Sequence, residues 1–240
     1  MGNHVMLNNV DHQAVKIITD RSEALGDQIQ AVVTFPNEYR AVQAHYPIFF
    51  QKDAQSDQFL SVALLGFEQG ENLFLSDQGW TVPYIPMMHE KGPFLIGKKV
   101  DSQTGEETGV ITLDMDDPRV NETQGESLFL EFGGNSPYLE KIIHILDAAR
   151  QGVEVQKGFI DCLIAHDLLE PLNVDITLND GSENRLSGYY VVHEDKLKAL
   201  PAAVIKDLSD QGFLEAIYMT LASQSQLQGL VERKNAKISS

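Results

Sequence analysis

The sequence predicts an α+β fold: an antiparallel, β-rich N-terminal half and a helical C-terminal half containing one β-hairpin. Three observations predict it. Up to residue 132, short apolar runs are cut at short intervals by Gly, Pro, Asn and Asp, as in a sheet with tight turns. From residue 133, apolar residues recur at helical spacing instead. Within that second half, Asn179-Asp180-Gly181-Ser182 separates two apolar, β-branched runs and reads as a hairpin turn. The chain has 240 residues, enough to bury a core without covalent staples. A single domain over 1–240 is expected, β-rich over 1–132 and α-rich over 133–240.

Taken in order, strands are expected at 15–18, 29–35, 47–50, 59–67, 72–75, 80–85, 94–96, 110–115 and 128–132. Each is rich in Val, Ile, Leu or Phe and bounded by turn formers. Ser76-Asp77-Gln78-Gly79 is a hairpin turn between Leu75 and Trp80. Pro83, Pro86 and Pro93 cannot donate to a ladder, so their strands end there or lie at an edge. The acidic stretches 101–107 and 116–126 read as surface loops. Ser136-Pro137 supplies an N-cap and a proline at the first helical position. Tyr138, Ile142, Ile143, Leu146 and Ala149 then share a face, and Gly152 ends or bends that helix. A second helix is expected over 155–169, stopping before Pro171. The hairpin strands follow at 172–178 and 186–192. Further helices are expected at 194–200, 202–211 and 214–233, with Gly212 as a helix stop.

The chain carries 18 Lys and Arg against 35 Asp and Glu, a formal charge of −17. Such a chain repels nucleic-acid phosphates and anionic lipid, and no basic cluster argues otherwise. Cys162 is the only cysteine, so no internal disulfide forms and a cysteine-only zinc site is excluded. Its apolar helical setting suits a buried small hydrophobe. The first residues lack the basic and apolar regions of a signal peptide. No run of about 18 apolar residues occurs, so membrane insertion is not expected. A cytoplasmic location is the simplest expectation, although export by a leaderless route would leave no mark.

Catalytic motifs are searched for and not found. There is no Gly-rich phosphate cradle, and Ser136 is followed by proline, which suits a helix cap and not a nucleophile elbow. None of the seven histidines is paired at zincin spacing. His193-Glu194-Asp195 opens like a facial iron triad, but no later histidine completes it. Cys162 and His166 share a helix face yet make only two ligands. Asp114, Asp116 and Asp117 lack the Gly and terminal Glu of a calcium loop. The expectation is no metal and no cofactor.

Aromatic residues instead concentrate between Tyr39 and Phe94, interleaved with prolines. Core filling is the bland account of them. The alternative is a rigid rim that holds rings at a binding surface, with Tyr46, Tyr84, His89 and Phe94 as its candidate residues. On that reading Tyr84 and His89 belong to the rim, and Trp80, which begins an apolar strand, to the core.

Several of these segments resemble a bacterial family called SapC. They are Tyr46-Pro47-Ile48-Phe49, Leu65-Gly66, Glu71-Asn72-Leu73-Phe74, Gly79-Trp80, Tyr84-Ile85-Pro86 and Pro93-Phe94. Leu186-Ser187-Gly188-Tyr189-Tyr190 with Lys196-Leu197, and Gly212-Phe213-Leu214 with Ile217-Tyr218, continue the likeness, which covers about residues 7 to 230. The resemblance implies a role beside a surface-layer locus or an outer-membrane system. It also implies arginines in the loop where this chain has Met87-Met88-His89-Glu90-Lys91. It supplies no catalytic residues. Two functions follow as expectations. One is an accessory or interaction protein, with a protein partner or a small molecule at the 46–94 surface. The other is a small-molecule enzyme, or an enzyme's partner subunit, using an aromatic pocket around residues 45–94 with His45, Glu71, Asn72 and His89 as polar groups.

Overall fold

A computed structural model describes residues 2–53, 56–100, 105 and 107–239. The β-rich first half and helical second half are both present. They are not separate layers. The largest sheet has five antiparallel strands in the order Leu169–Thr177, Glu183–Val192, Ile48–Lys52, Phe59–Leu64, Ala31–Val33. The C-terminal hairpin thus docks on N-terminal strands, with Tyr190 opposite Phe50 and Phe50 opposite Ser61. Ile48, Phe49 and Phe50 are all buried, so both faces of this central strand are covered.

A second sheet orders His4–Met6, Glu107–Asp114 and Phe94–Val100. A third pairs Lys16–Ile17 with Val120–Asn121 on one side and Glu126–Ser127 on the other. These smaller sheets enclose their own core of Val15, Ile17, Phe94, Leu113 and Leu128. The described residues therefore form two hydrophobic clusters, and one helix runs through both.

That helix, Pro137–Ala165, starts as its sequence dictates: the Ser136 hydroxyl accepts from the Leu139 amide at 3.1 Å and Pro137 sits in the first turn. Its 29 residues span about 43 Å. Leu139, Ile142 and Leu146 enter the smaller core, while Phe159, Ile160 and Leu163 enter the larger one. The sequence allowed Gly152 to end this helix, and it does not: the helix continues to Ala165. A Cβ built there would lie 2.6 Å from the Phe35 ring, so the missing side chain is what lets the helix pass that ring.

Other expectations fail for identifiable reasons. The helix expected over 214–233 is two, Phe213–Ser223 and Gln226–Ile238. At the break the Ser223 and Ser225 hydroxyls donate back to the carbonyls of Thr220 and Ala222, and Ser223 accepts from the Ile48 amide at 2.9 Å. The helix expected to reach 169 ends at Ala165, and the strand expected from 172 begins at Leu169; it accommodates Pro171 because it is the outermost strand and its register shifts between Leu172 and Val174. The strand expected at 128–132 is a single bridge between Phe129 and Asn135, around a loop in which Gly133 and Gly134 both take positive φ. The strand expected at 80–85 stops after Trp80. Pro86 instead starts a short helix, Met87–Glu90. The loop expected over 101–107 lies mostly outside the described residues. No helix among those residues is long and apolar enough to cross a membrane.

The passage of the long helix over Phe35 can be tested. Gly152→Ala raises helix propensity by about 1 kcal/mol, yet it forces a methyl into the ring. We expect a net destabilisation of about 1–3 kcal/mol in a urea melt. A variant as stable as the wild type would mean that Phe35 yields freely and that the close approach constrains nothing.

Candidate functional site

The site begins with a buried acid. Residues 22–27 form a tight loop: Glu23–Leu25 make one 3-10 turn and Gly26 takes positive φ, which returns the chain so that Asp27 donates its amide to the Ser22 carbonyl at 3.2 Å. The Asp27 side chain closes the same loop by accepting the Ser22 amide at 2.7 Å. That side chain has no solvent exposure.

Three further elements bring donors to it. Pairing of Val120 with Ile17 and donation from the Ile18 amide to the Arg119 carbonyl fix the turn that carries Arg119. Arg119 reaches Asp27 Oδ1 through one terminal nitrogen at 2.6 Å. The Met87–Glu90 helix brings His89, whose Nε2 donates to the same oxygen at 2.6 Å, since an ionised carboxylate only accepts. Arg21 lies 3.5 Å away and also pairs with Glu90. Lys141, from the first turns of the long helix, binds the other oxygen of Glu90. Burial pushes the Asp27 carboxyl up. Donation from His89 and from the Ser22 amide, with the charges of Arg119 and His89, more than reverses this and holds it below the usual carboxylate range.

A second buried acid, Glu38, pins the neighbouring segment. It accepts from the Thr34 hydroxyl at 2.7 Å, the Tyr84 hydroxyl at 2.7 Å and the Met87 amide at 3.0 Å. Tyr46 donates to the Tyr84 carbonyl at 2.6 Å and accepts from the Trp80 indole at 2.7 Å. The Trp80 ring lies 5.3 Å from that of His89. Burial, and then the Glu38 charge, push the Tyr84 hydroxyl up far enough to keep it a neutral donor.

Above Asp27 opens a cleft of about 560 Å³. Arg21, Arg119 and Lys141 line it with Trp80, Tyr138 and Glu90. A ridge of Pro83 and Ile85 separates it from a second, more apolar cleft of about 640 Å³ over Tyr84, His144 and Ile145.

The structure places the sequence-predicted residues unevenly. Tyr46 and Phe94 are both fully buried, in different hydrophobic clusters, and present no ring to solvent. Tyr84 and His89 are half-buried and belong to the hydrogen-bonded walls. Trp80 is also half-buried; it packs against the larger core, as Tyr84 does, and lines the cleft, so burial alone does not divide the two. Asn72 supports Asp27 by donating to its carbonyl at 2.8 Å. Glu71 instead binds Lys234 of the last helix, and His45 lies against Tyr46, away from Asp27. Cys162 is half-buried, its thiol pushed up by burial. Among the described residues, no group of three His, Cys, Asp or Glu side chains is placed to hold a metal ion.

Sequence reasoning missed Arg21, Asp27, Arg119 and Lys141 altogether. They share no spacing, and the only signal was that each cation is rare in an acidic chain. The 87–91 loop, where the resemblance implied arginines, supplies His89 and Glu90 to the network; the guanidinium groups arrive from positions 21 and 119 instead.

A family model, SapC, matches residues 7–230. The chain belongs to the SapC family. No curated protein and no solved structure matches it.

Two measurements test the network. Asp27→Asn removes the charge from a buried pair and presents an amide to donors, so we expect a loss of about 3–5 kcal/mol in a denaturant melt at neutral pH. Because the folded carboxyl titrates below its ordinary value of 3.8, its contribution is fully present above about pH 5 and is lost as pH falls below 3.8. The gap between wild type and variant should therefore be flat at neutral pH and narrow in acid. A gap that grows in acid contradicts the assignment. Separately, Tyr84→Phe strips one donor from Glu38 and should cost about 1–3 kcal/mol. A neutral result would show that water replaces the phenol.

Proposed function

We propose that this SapC protein is an accessory protein that works by binding and not by turnover, and that its working surface is the cleft above Asp27. One observation carries the reading: a concave site within the ~300–1,000 Å³ typical of small-molecule pockets is lined by the only tryptophan and by three cations of a chain with net charge −17. The acids beside it support binding over catalysis. Asp27, Glu38 and Glu90 are each held by two or more fixed donors, and an acid so engaged is a poor proton acceptor. The family resemblance suggests the setting, a surface-layer or outer-membrane system that this protein serves.

A second reading has one observation in its favour. The His89–Asp27 pair, with its 2.6 Å hydrogen bond, is the arrangement used to orient a catalytic imidazole. On that reading the protein is an enzyme, and His89 acts on a molecule in the cleft.

Mass spectrometry of compounds released by denaturing protein gently purified from its native cell separates these readings. Pro83 is exposed and lines both clefts. We expect a compound released by the wild type to fall at least about tenfold in Pro83→Glu, the equivalent of about 1.4 kcal/mol. Identical profiles would remove the cleft as the working surface. Conversion of the released compound by fresh protein, abolished in His89→Asn, would establish the enzyme instead.

A further inference from the structure

We infer that the cleft above Asp27 recognises an oxyanion, a carboxylate or a phosphate, carried on an aromatic or otherwise apolar body. This rests on the cleft being the working surface and adds the chemical class of what fills it.

The inference starts from a count of donors and acceptors. The internal acids are consumed: Asp27 accepts from Ser22, His89 and Arg119, and Glu90 from Arg21 and Lys141. The donors are not. A guanidinium offers five N–H groups and an ammonium three. Arg119 is 7% exposed; its Nε has no hydrogen-bond partner but is sealed from solvent, so the donors open to a ligand lie at the end of the side chain. Its other terminal nitrogen lies 3.8 Å from Asp117, beyond hydrogen-bond reach. Lys141, 59% exposed at its side chain, commits one of its three hydrogens to Glu90. Arg119, which lines the cleft, and Lys141 thus keep unused charged N–H groups at its wall, and an anion is the group that satisfies such donors.

Other groups facing the cleft agree. Burial pushes the Tyr138 hydroxyl up, so it stays a neutral donor. Asp20 and Glu126 also line the wall and oppose an anion. Both are exposed, so solvent screens them more than it screens the buried Arg119. Trp80 offers an apolar wall backed by His89. The adjoining cleft across Pro83 and Ile85 is lined by Tyr84, Met87 and Ile145 and could hold the rest of an apolar body. Guanidinium groups that are already oriented by Asp27 and Glu90 meet a planar oxyanion with little further ordering.

The test uses four probes of one size: phenyl phosphate, benzoate, benzylamine and benzyl alcohol. Trp80, the only tryptophan, makes intrinsic fluorescence a local readout. Probes this small are titrated to ~10 mM, since dissociation constants near ~1 mM are expected for them. At least one of the two anions should bind the full-length protein, and the tighter of them names the oxyanion. Its affinity should fall at least about fivefold in Lys141→Ala, whose exposed position leaves the fold intact, and in Arg119→Lys, which keeps a charge beside Asp27 but loses the second terminal nitrogen of the guanidinium fork. If Arg119→Lys fails to fold by circular dichroism, Lys141→Ala carries the test. Binding of benzylamine or benzyl alcohol as tightly as either anion, or an anion affinity unchanged in Lys141→Ala, overturns the oxyanion while leaving a cleft that binds. Silence from all four probes overturns it too. The cleft itself falls only if the compounds released from wild type and Pro83→Glu are also identical.

Discussion

An ionised carboxylate cut off from water is unstable unless fixed donors replace its hydration. Asp27 is in that position, and the arrangement of the rest of the protein around it follows from the need to supply those donors. They come from the Ser22 loop, the Met87–Glu90 helix and the Arg119 turn, segments far apart in sequence. Arg119 stands on the strands that enclose the smaller hydrophobic core. Asn72, which holds the Asp27 carbonyl, lies between Leu73 and Glu71 at the edge of the larger one. The carboxylate therefore ties the two apolar clusters, which the long helix also joins. Apolar packing is non-directional and would tolerate some sliding of one cluster on the other. A charged hydrogen bond of 2.6 Å does not.

Glu38 repeats the device one segment away. Its three donors fix Thr34, Tyr84 and the start of the Met87–Glu90 helix. Asp27 thus holds the proline-rich stretch from Trp80 to Glu90 at His89, and Glu38 holds it at Tyr84 and Met87, and this stretch has almost no ladder of its own. Side-chain bonds to buried acids do there what backbone pairing does in a sheet. The aromatic rings of this stretch are consequently walls as much as filler: Trp80 is half-buried because its indole is bonded to Tyr46 within while its ring lines the cleft without.

How much of this the sequence discloses depends on how local each cause is. The Ser136-Pro137 cap, the hairpins at 76–79 and 179–182 and the termination at Gly212 are written in four or five neighbouring residues, and all are where the pattern puts them. The continuation of the long helix through Gly152 depends on Phe35, more than a hundred positions away. The break before Gln226 depends on a serine that also serves the Ile48 amide. The cleft is the extreme case: residues 21, 27, 89, 90, 119 and 141 have no periodicity in common, and the aromatic, proline-rich run drew attention to the wall and away from the charges behind it. The family likeness extends across residues 7–230 yet names no site, so it leaves the chemistry to geometry.

The same rigidity that hides the site from sequence constrains what it does. A residue that shuttles protons has to exchange partners during a cycle, whereas the acids here are shared among donors from three elements and none can move without loosening the others. A rigid constellation of oriented cations suits recognition, because a bound group gains its hydrogen bonds without the protein losing freedom to make them. The overall negative charge sharpens the selection. Under the proposed recognition, anions approaching at random are repelled by a chain of net charge −17, and one that reaches the cleft with an apolar body to lodge against Trp80 is the one retained. Discrimination then comes from the contrast between a repelling exterior and a few buried donors, a property that neither the composition nor any single motif carries.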